Sequence, residues 1–260
     1  MDYLDKLILF HLFRDGRISQ NKLAALLNLS VPSLNSRYKK LVDDNIIRGF
    51  RLFINPNLLG YIFSYAAFQN INSYDADYVF VIFKCLENFD VYGIYASNSL
   101  ELDDYMQTLS ARLGNPIMIY SPYQNPLKLN KIDLKLLSVL NEYPRATIGE
   151  LAEKTGIKAS KINKILELLK GKIAVIPDVD LVKADIILLG IFTSKIEQVK
   201  TITSNKSIIT IRGPQSGVEI CFIDSIGNAK NMVERIKKID SGSQIMLVYE
   251  YRIKPLKNFY

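Results

Sequence analysis

The sequence of 260 residues has two cysteines, one histidine and no tryptophan. Cys85 and Cys221 lie far apart without a Cys or His neighbour at metal-ligand spacing, which argues against a zinc site and a disulfide framework. We expect both to be buried free thiols. No apolar run approaches the roughly 20 residues that cross a bilayer, and no signal-like segment opens the chain. We therefore expect a cytoplasmic protein without a membrane partner.

Catalytic motifs are also missing: the sequence has no glycine-rich phosphate loop, nucleophile elbow or HExxH run. We expect no catalytic residues, no cofactor and no metal, and we predict that the protein is not an enzyme. The net charge of +7 suits an anionic partner. Residues 1–60 carry nine Lys and Arg against five Asp and Glu, whereas residues 61–126 carry two against seven. Basic and acidic modules thus alternate in the first half.

The chain repeats itself at an interval of 128 residues, which indicates a repeated structural unit. Without a gap, this shift places Leu4 and Asp5 on Ile132 and Asp133, and Arg17 on Arg145. Each copy opens with three short amphipathic segments, which predict a helix-turn-helix. In the first copy Ser19 and Ser30 are the predicted N-caps of the second and third helices, and in the second copy Thr147 is the predicted N-cap of the second helix. Alternating residues follow at 46–54 and 173–176, and they predict a wing strand in each copy.

The remainder of each copy predicts a ferredoxin-like βαββαβ module. The fold class is therefore α+β, a winged helix-turn-helix plus a ferredoxin-like module, with the pair repeated twice. In the first module we expect helices at 75–87 and 104–113, and strands at 62–71, 91–96, 100–102 and 117–120. The predicted domains are a winged helix at 1–60, a ferredoxin-like domain at 61–126, a second winged helix at 127–185 and a second ferredoxin-like domain at 186–260.

The first 60 residues resemble the DNA-binding domain of the Lrp/AsnC (feast/famine) transcriptional regulators. The resemblance rests on Gly16-Arg17-Ile18-Ser19, Leu23-Ala24, Ser30, Arg37 and Ile46-Ile47-Arg48-Gly49. It implies that the ferredoxin-like modules are ligand-sensing and oligomerising (RAM) domains, and that this chain is a tandem duplication of the family's cassette. The bias towards Ile, Lys and Asn is typical of an AT-rich, archaeal-like genome.

The third helix of a helix-turn-helix enters the major groove, so its outward side chains near the N-terminus contact DNA. For the first copy we predict base contacts from Ser30, Val31, Pro32, Ser33, Asn35, Ser36 and Arg37, and phosphate contacts from Lys39 and Lys40. For the second copy we predict phosphate contacts from Lys158, Ser160, Lys161 and Lys164. The second copy has Ile165 where the first has Arg37, which leaves its DNA contact open between a true interface and a degenerate, packing-only winged helix.

These features favour a sequence-specific regulator that binds double-stranded DNA and responds to a small effector such as an amino acid. We expect an intramolecular pseudo-dimer, open to further homo-oligomerisation, with recognition helices roughly 34–36 Å apart. Two alternatives remain: a siroheme-decarboxylase-like enzyme, and an accessory partner of another Lrp-type regulator that does not itself contact bases. We expect His11 to be a packed structural residue, and Tyr61, Phe63, Tyr65 and Phe68 to pack in a core rather than stack on nucleobases.

Overall fold

The structure is a computed structural model that describes residues 1–69 and 74–256. The first half contains helices α1 (Tyr3–Arg14), α2 (Gln20–Leu26) and α3 (Val31–Asp43), strand β1 (Ile47–Ile54), a 3-10 turn (Pro56–Leu59), β2 (Ile62–Gln69), β3 (Val79–Cys85), β4 (Phe89–Ala96), α4 (Ser99–Leu113) and β5 (Met118–Tyr120). The second half contains α5 (Lys131–Glu142), α6 (Ile148–Thr155), α7 (Ala159–Leu168), β6 (Ile173–Val179), β7 (Ile187–Thr193), α8 (Ile196–Thr203), β8 (Ser207–Arg212), β9 (Gly217–Ile223), α9 (Ile226–Ile239) and β10 (Gln244–Ile253).

Eight of the strands form one antiparallel sheet in the order β5-β2-β4-β3-β10-β7-β9-β8. Within each half the fourth strand lies beside the first, and the third lies between the first and the second, which is the ferredoxin-like order. The halves join where β10 pairs with β3, with Tyr251 opposite Phe83. The predicted fold class is confirmed.

Two predicted elements of the first ferredoxin-like module are wrong. The predicted helix at 75–87 is strand β3, which lies between β4 and β10. A strand enclosed on both sides has an apolar run like that of a buried helix, so periodicity does not separate the two. The predicted short strand at 100–102 lies in α4, whose N-terminus is capped by Asn98 accepting from the Glu101 backbone N–H. The last residues of the strand predicted at 62–71 fall outside the described part of the chain.

Helices cover one face of the sheet, and the winged helices cover the other. On the helix side, α4 packs over β2 and β4, while α8 and α9 pack over β7 and β9. Between β2 and β3, where the second half has α8, the described residues form no helix. On the other face, Phe10 and Phe13 of α1 lie 5.6 and 6.0 Å from the Phe222 ring of β9. The winged helices and the inner face of the sheet thus share one core.

The two cysteines follow the prediction: both thiols are buried and free. Burial raises the pKa of each thiol, Cys85 and Cys221, to about 12. A thiol with so high a pKa stays protonated at neutral pH and is a poor nucleophile. Both residues therefore act as small apolar side chains in the core.

Candidate nucleic-acid interface

The two winged helices are held together as a pseudo-symmetric pair. Strand β1 pairs antiparallel with β6, so the wing strands of both copies form one two-stranded sheet. Arg17 donates to the carbonyls of Pro144 at 2.9 Å and Ala146 at 2.7 Å. Arg145, its equivalent at the 128-residue shift, donates to the carbonyl of Ile18 at 3.2 Å. Because Ile18 and Ala146 are also equivalent, the two arginines make reciprocal contacts, as in an isologous dimer interface.

The contact across this interface leaves no room for a larger side chain at Gly16. A Cβ at that position would lie 2.1 Å from the carbonyl oxygen of Val175 in β6. The equivalent residue of the second copy is Pro144, whose carbonyl accepts from Arg17. Arg145 also stacks across the interface, since its guanidinium lies 4.6 Å from the ring centre of Phe50 in β1. The relative position of the two winged helices is thus fixed by several independent contacts.

Helix α3 begins at Ser30, whose Oγ accepts from the Ser33 backbone N–H at 3.3 Å. Leu34 and Leu41 are buried, and Val31 is half-buried against the same core. The side chains that remain exposed lie along the opposite side of the helix: Pro32, Ser33, Asn35, Ser36, Lys39 and Lys40. This side is not covered by another part of the described chain, as a DNA-contacting surface requires. Ser30 caps the helix, as the sequence predicts, whereas the packing of Val31 against the core was not predicted.

The Arg37 side chain forms ion pairs with two carboxylates of the same chain. Its Nη1 lies 2.7 Å from Asp2 and 2.8 Å from Asp5, the N-cap and first-turn carboxylates of α1. These two carboxylates raise the pKa of the Arg37 guanidinium. The arginine therefore ties α3 to the start of α1. The sequence prediction treated it as a base-contacting donor; in the structure its Nη1 forms both ion pairs, and contact with bases stays a prediction.

Helix α7 presents a different surface. Lys158, Ser160, Lys161 and Lys164 are all exposed. Lys158 occupies the N-cap position, and its side chain makes no capping hydrogen bond. Ile165, the counterpart of Arg37, is buried at 5% exposure and belongs to the core. The exposed face of α7 thus presents amine and hydroxyl groups, whereas the position equivalent to Arg37 is occupied by a buried apolar side chain.

The lysines on these two helices have no acidic partner in the described chain. Within residues 1–69 and 74–256, no ion pair involves Lys39 and Lys40 of α3, or Lys158, Lys161 and Lys164 at α7. Some other cations of the winged helices are paired, for example Lys6 with Asp185 and Arg48 with Asp178. Unpaired lysines also occur elsewhere in the winged helices, since Lys22 of α2 and Lys131 of α5 form no ion pair within the described residues, but those on α3 and α7 lie along one exposed side of each third helix.

Sequence analysis missed the reciprocal arginines. Their signal was the alignment of Arg17 with Arg145, which was used only to establish the repeat. His11 is half-buried on α1, as predicted for a packing residue, and burial, with a smaller effect of Arg14, lowers its pKa. Phe63 and Tyr65 face the shared core, and Phe68 faces the helix side, which matches the packing interpretation of that aromatic group.

A winged helix-turn-helix DNA-binding sequence profile matches residues 1–48 and 129–170, which carry both three-helix units. The HTH-type transcriptional regulator LrpA of Bacillus subtilis is 39% identical over 71 residues, which are 27% of this chain and 51% of that protein. The leucine-responsive regulatory protein of Rhizobium meliloti is 39% identical over 61 residues, 24% of this chain and 39% of that protein. The chain therefore carries winged helix-turn-helix units, and the first is similar to those of Lrp-type regulators.

The Lrp/AsnC-type similarity spans about half the length of those curated relatives or less. Among solved structures, the siroheme decarboxylase NirDL matches 99% of this chain and 94% of its own, with a TM-score of 0.49 and 12% identity. The leucine response regulatory protein LrpA of Mycobacterium tuberculosis matches 50% of this chain, with a TM-score of 0.34 and 19% identity. Within residues 1–69 and 74–256, no helix combines the length and apolarity that a membrane span needs.

Proposed function

We propose that this protein is a DNA-binding transcriptional regulator that places α3 and α7 against one duplex. The observation that carries the proposal is the set of five exposed lysines on these helices, which no carboxylate of the described chain neutralises. Exposed cations without partners are suited to phosphate oxygens, whose neutralisation supplies most of the sequence-independent affinity. The similarity of the first winged helix to HTH-type regulators supports the same function.

The internal pairing of the winged helices supports simultaneous contact by both. A homodimeric regulator presents two identical helices to a palindromic site. Here one chain provides two different surfaces, Pro32, Ser33, Asn35 and Ser36 on α3, and mainly lysines on α7. The proposed target is therefore asymmetric, with base contacts concentrated in the half-site of α3 and phosphate contacts in that of α7. The spacing of roughly 34–36 Å between the helices remains part of this proposal.

The salt dependence of DNA affinity tests the proposal. The duplex is one recovered by selection from random sequence, and its affinity is measured by fluorescence anisotropy over a series of salt concentrations. Replacing Lys161 and Lys164 by Gln removes two phosphate contacts, so the slope of log K against log salt should become shallower by about 1.8. The matched control replaces Lys230 and Lys238 by Gln, because both lie on α9, on the face of the sheet away from the winged helices. A slope that is unchanged in the α7 variant, or equally reduced in the control, would refute contact by α7.

A footprint of the same duplex tests the asymmetry. Protection should extend over two adjacent segments, and Asn35→Ala should relax sequence preference in one of them only. Loss of preference in both segments would contradict the asymmetric arrangement. A regulator of this kind can also bind an effector. The amino-acid effector that the resemblance implies stays a prediction.

A further inference from the structure

The eight-stranded sheet curls until its two edge strands meet. Tyr120 of β5 donates its hydroxyl to the carbonyl of Ile211 in β8 at 3.2 Å. One step further on, the Tyr123 backbone N–H donates to the carbonyl of Arg212 at 3.0 Å. Gly213 permits this approach, because a Cβ there would lie 3.0 Å from the Tyr120 ring. The sheet therefore encloses a lumen, and an eight-stranded barrel is of the size that is filled by side chains or holds one small ligand.

The lumen is not filled by side chains. An apolar cavity of about 50 Å³ remains in its inner part, and all eight strands contribute to the lining of that cavity. The lining residues are Tyr65, Phe83, Val91, Met118, Tyr120, Leu188, Gly190, Ile211, Val218, Ile220, Met246 and Val248. A second cavity of about 260 Å³ shares Tyr65, Phe83 and Ile220 with the first, and it extends towards the winged helices at Phe13 and Phe53. An apolar cavity of about 150 Å³ is enough to bind benzene, so the larger space suits an aromatic ligand of about two fused rings.

One polar group in the lumen has no partner. Tyr65 is only 8% exposed, and within the described residues its hydroxyl makes no hydrogen bond, although its ring contacts Phe63, Phe80 and Tyr120. Unlike the Tyr78 hydroxyl, which is fully buried without a partner, the Tyr65 hydroxyl borders accessible space, and Tyr65 lines both cavities. The neighbouring Tyr120 hydroxyl, by comparison, is bonded to Ile211. A ligand with one polar edge would satisfy Tyr65 and leave its apolar rings against Leu188 and Ile220.

We propose that the lumen binds one small bicyclic aromatic molecule, with its polar atom hydrogen-bonded to the Tyr65 hydroxyl and its rings against the inner faces of the strands. The larger cavity extends to Phe13 of α1 and Phe53 of β1, both in the first winged helix. The ligand site therefore lies directly beneath the DNA-binding layer. Any effect of the ligand on DNA affinity rests on the function proposed above, but binding itself does not.

Indole is the probe, and the methionine methyl groups of the full chain report where it binds. Met118 and Met246 line the lumen, whereas Met106 and Met232 pack on the helix side of the sheet. Indole should shift the resonances of the first pair and leave the second pair in place, with saturation at a Kd below about 1 mM. Absence of saturation, or shifts at Met106 or Met232 instead, would overturn the proposal without any bearing on DNA binding.

Two variants test the chemistry of the site. Ile220→Phe places extra volume in the lumen and should weaken indole binding at least tenfold, while Val182→Phe, at a site that is 69% exposed, should not change it. Tyr65→Phe should weaken indole about fivefold, the value of one hydrogen bond, but should leave indene, its isostere without an N–H group, unchanged. Equal binding of indole by Ile220→Phe and the unmodified protein would place the ligand elsewhere. If Ile220→Phe does not fold, the comparison of indole with indene at Tyr65 still decides.

Discussion

The third helices of the two winged helices occupy equivalent places but are held by opposite means. In the first copy, Arg37 is half-exposed and forms ion pairs with Asp2 and Asp5 of α1. In the second copy the same position is Ile165, which is 5% exposed in the core. One copy therefore fixes its third helix by charge at the surface, and the other by burial of apolar area. The third helix thus lies at the equivalent place in both copies, although different interactions hold it there.

The start of the two helices differs in the same way. Ser30 caps α3, but its equivalent, Lys158, stands at the start of α7 without a capping hydrogen bond. A cation at a helix N-terminus is unfavourable, because the helix dipole places partial positive charge there. The second copy thus carries a residue that local stability does not explain. An anion bound at that point, such as a DNA phosphate, would explain it.

The largest expected difference is in the stability of variants at the Arg37 and Ile165 positions. Ile165→Ala removes buried apolar volume and should lower the free energy of unfolding by about 3 kcal/mol. Arg37→Ala removes one ion pair with Asp2, which is 55% exposed, and one with Asp5, which is 12% exposed, and should cost about 1 kcal/mol, less than the loss at Ile165. Chemical denaturation of both variants measures the two values.

Leu34 and Ile162 provide the matched control for that comparison. They are equivalent in the repeat, and both are fully buried. Leu34→Ala and Ile162→Ala should therefore cost similar free energies, about 2–5 kcal/mol each. If Arg37→Ala destabilises the protein as much as Ile165→Ala, the distinction between charge and burial is wrong.

An intermediate effect is expected at the helix N-caps. Lys158→Ser supplies the missing cap and should raise the free energy of unfolding by about 1 kcal/mol. The same change should weaken DNA binding and make its salt dependence shallower, by about 0.9 in the slope. Ser30→Ala is the control in the opposite direction and should lower stability by about 1 kcal/mol. A Lys158→Ser variant that gains stability and binds DNA unchanged would show that Lys158 does not contact phosphate.

The repeated winged helices were accessible from the sequence because they depend on local pattern. Helical spacing, Ser19 and Ser30 as caps, and the 128-residue alignment together define the three-helix units. Strand β3 was mistaken for a helix because its burial comes from β4 and β10, and the second of these lies more than 150 residues away in the chain. Long-range pairing of this kind leaves no local signal.

The candidate interface was only partly accessible for the same reason. Which side chains of α3 and α7 point outwards follows from helical periodicity, and the exposed lysines were identified in this way. The use of Arg37 could not be foreseen, because its partners Asp2 and Asp5 are chosen by the packing of α1 against α3. The closure of the sheet depends on Tyr120 meeting Ile211, a contact between the two ends of an eight-stranded order that only the assembled fold defines.

The smallest expected effect is a pH dependence of stability that comes from the first copy and not from the equivalent position of the second. A hydrogen bond from the Asp5 backbone N–H, and then the Arg37 guanidinium, hold the pKa of Asp2 below its ordinary value of 3.8. A carboxyl with a lowered folded-state pKa adds stability that is complete above its unfolded pKa and is lost as the pH falls through the folded value. Asp2→Asn keeps a capping side chain and removes the charge. It should therefore lower Tm slightly near neutral pH and have no effect well below pH 3.8. The loss of stability should be under about 1 kcal/mol, because the Asp2–Arg37 pair is exposed. Thermal unfolding across that range measures this, and a decrease in Tm that persists in acid would assign the loss to the cap rather than to the charge. The second copy has Asn130 at the equivalent position, where it caps α5 without a titratable group. The acid-sensitive contribution therefore belongs to the first copy at this position.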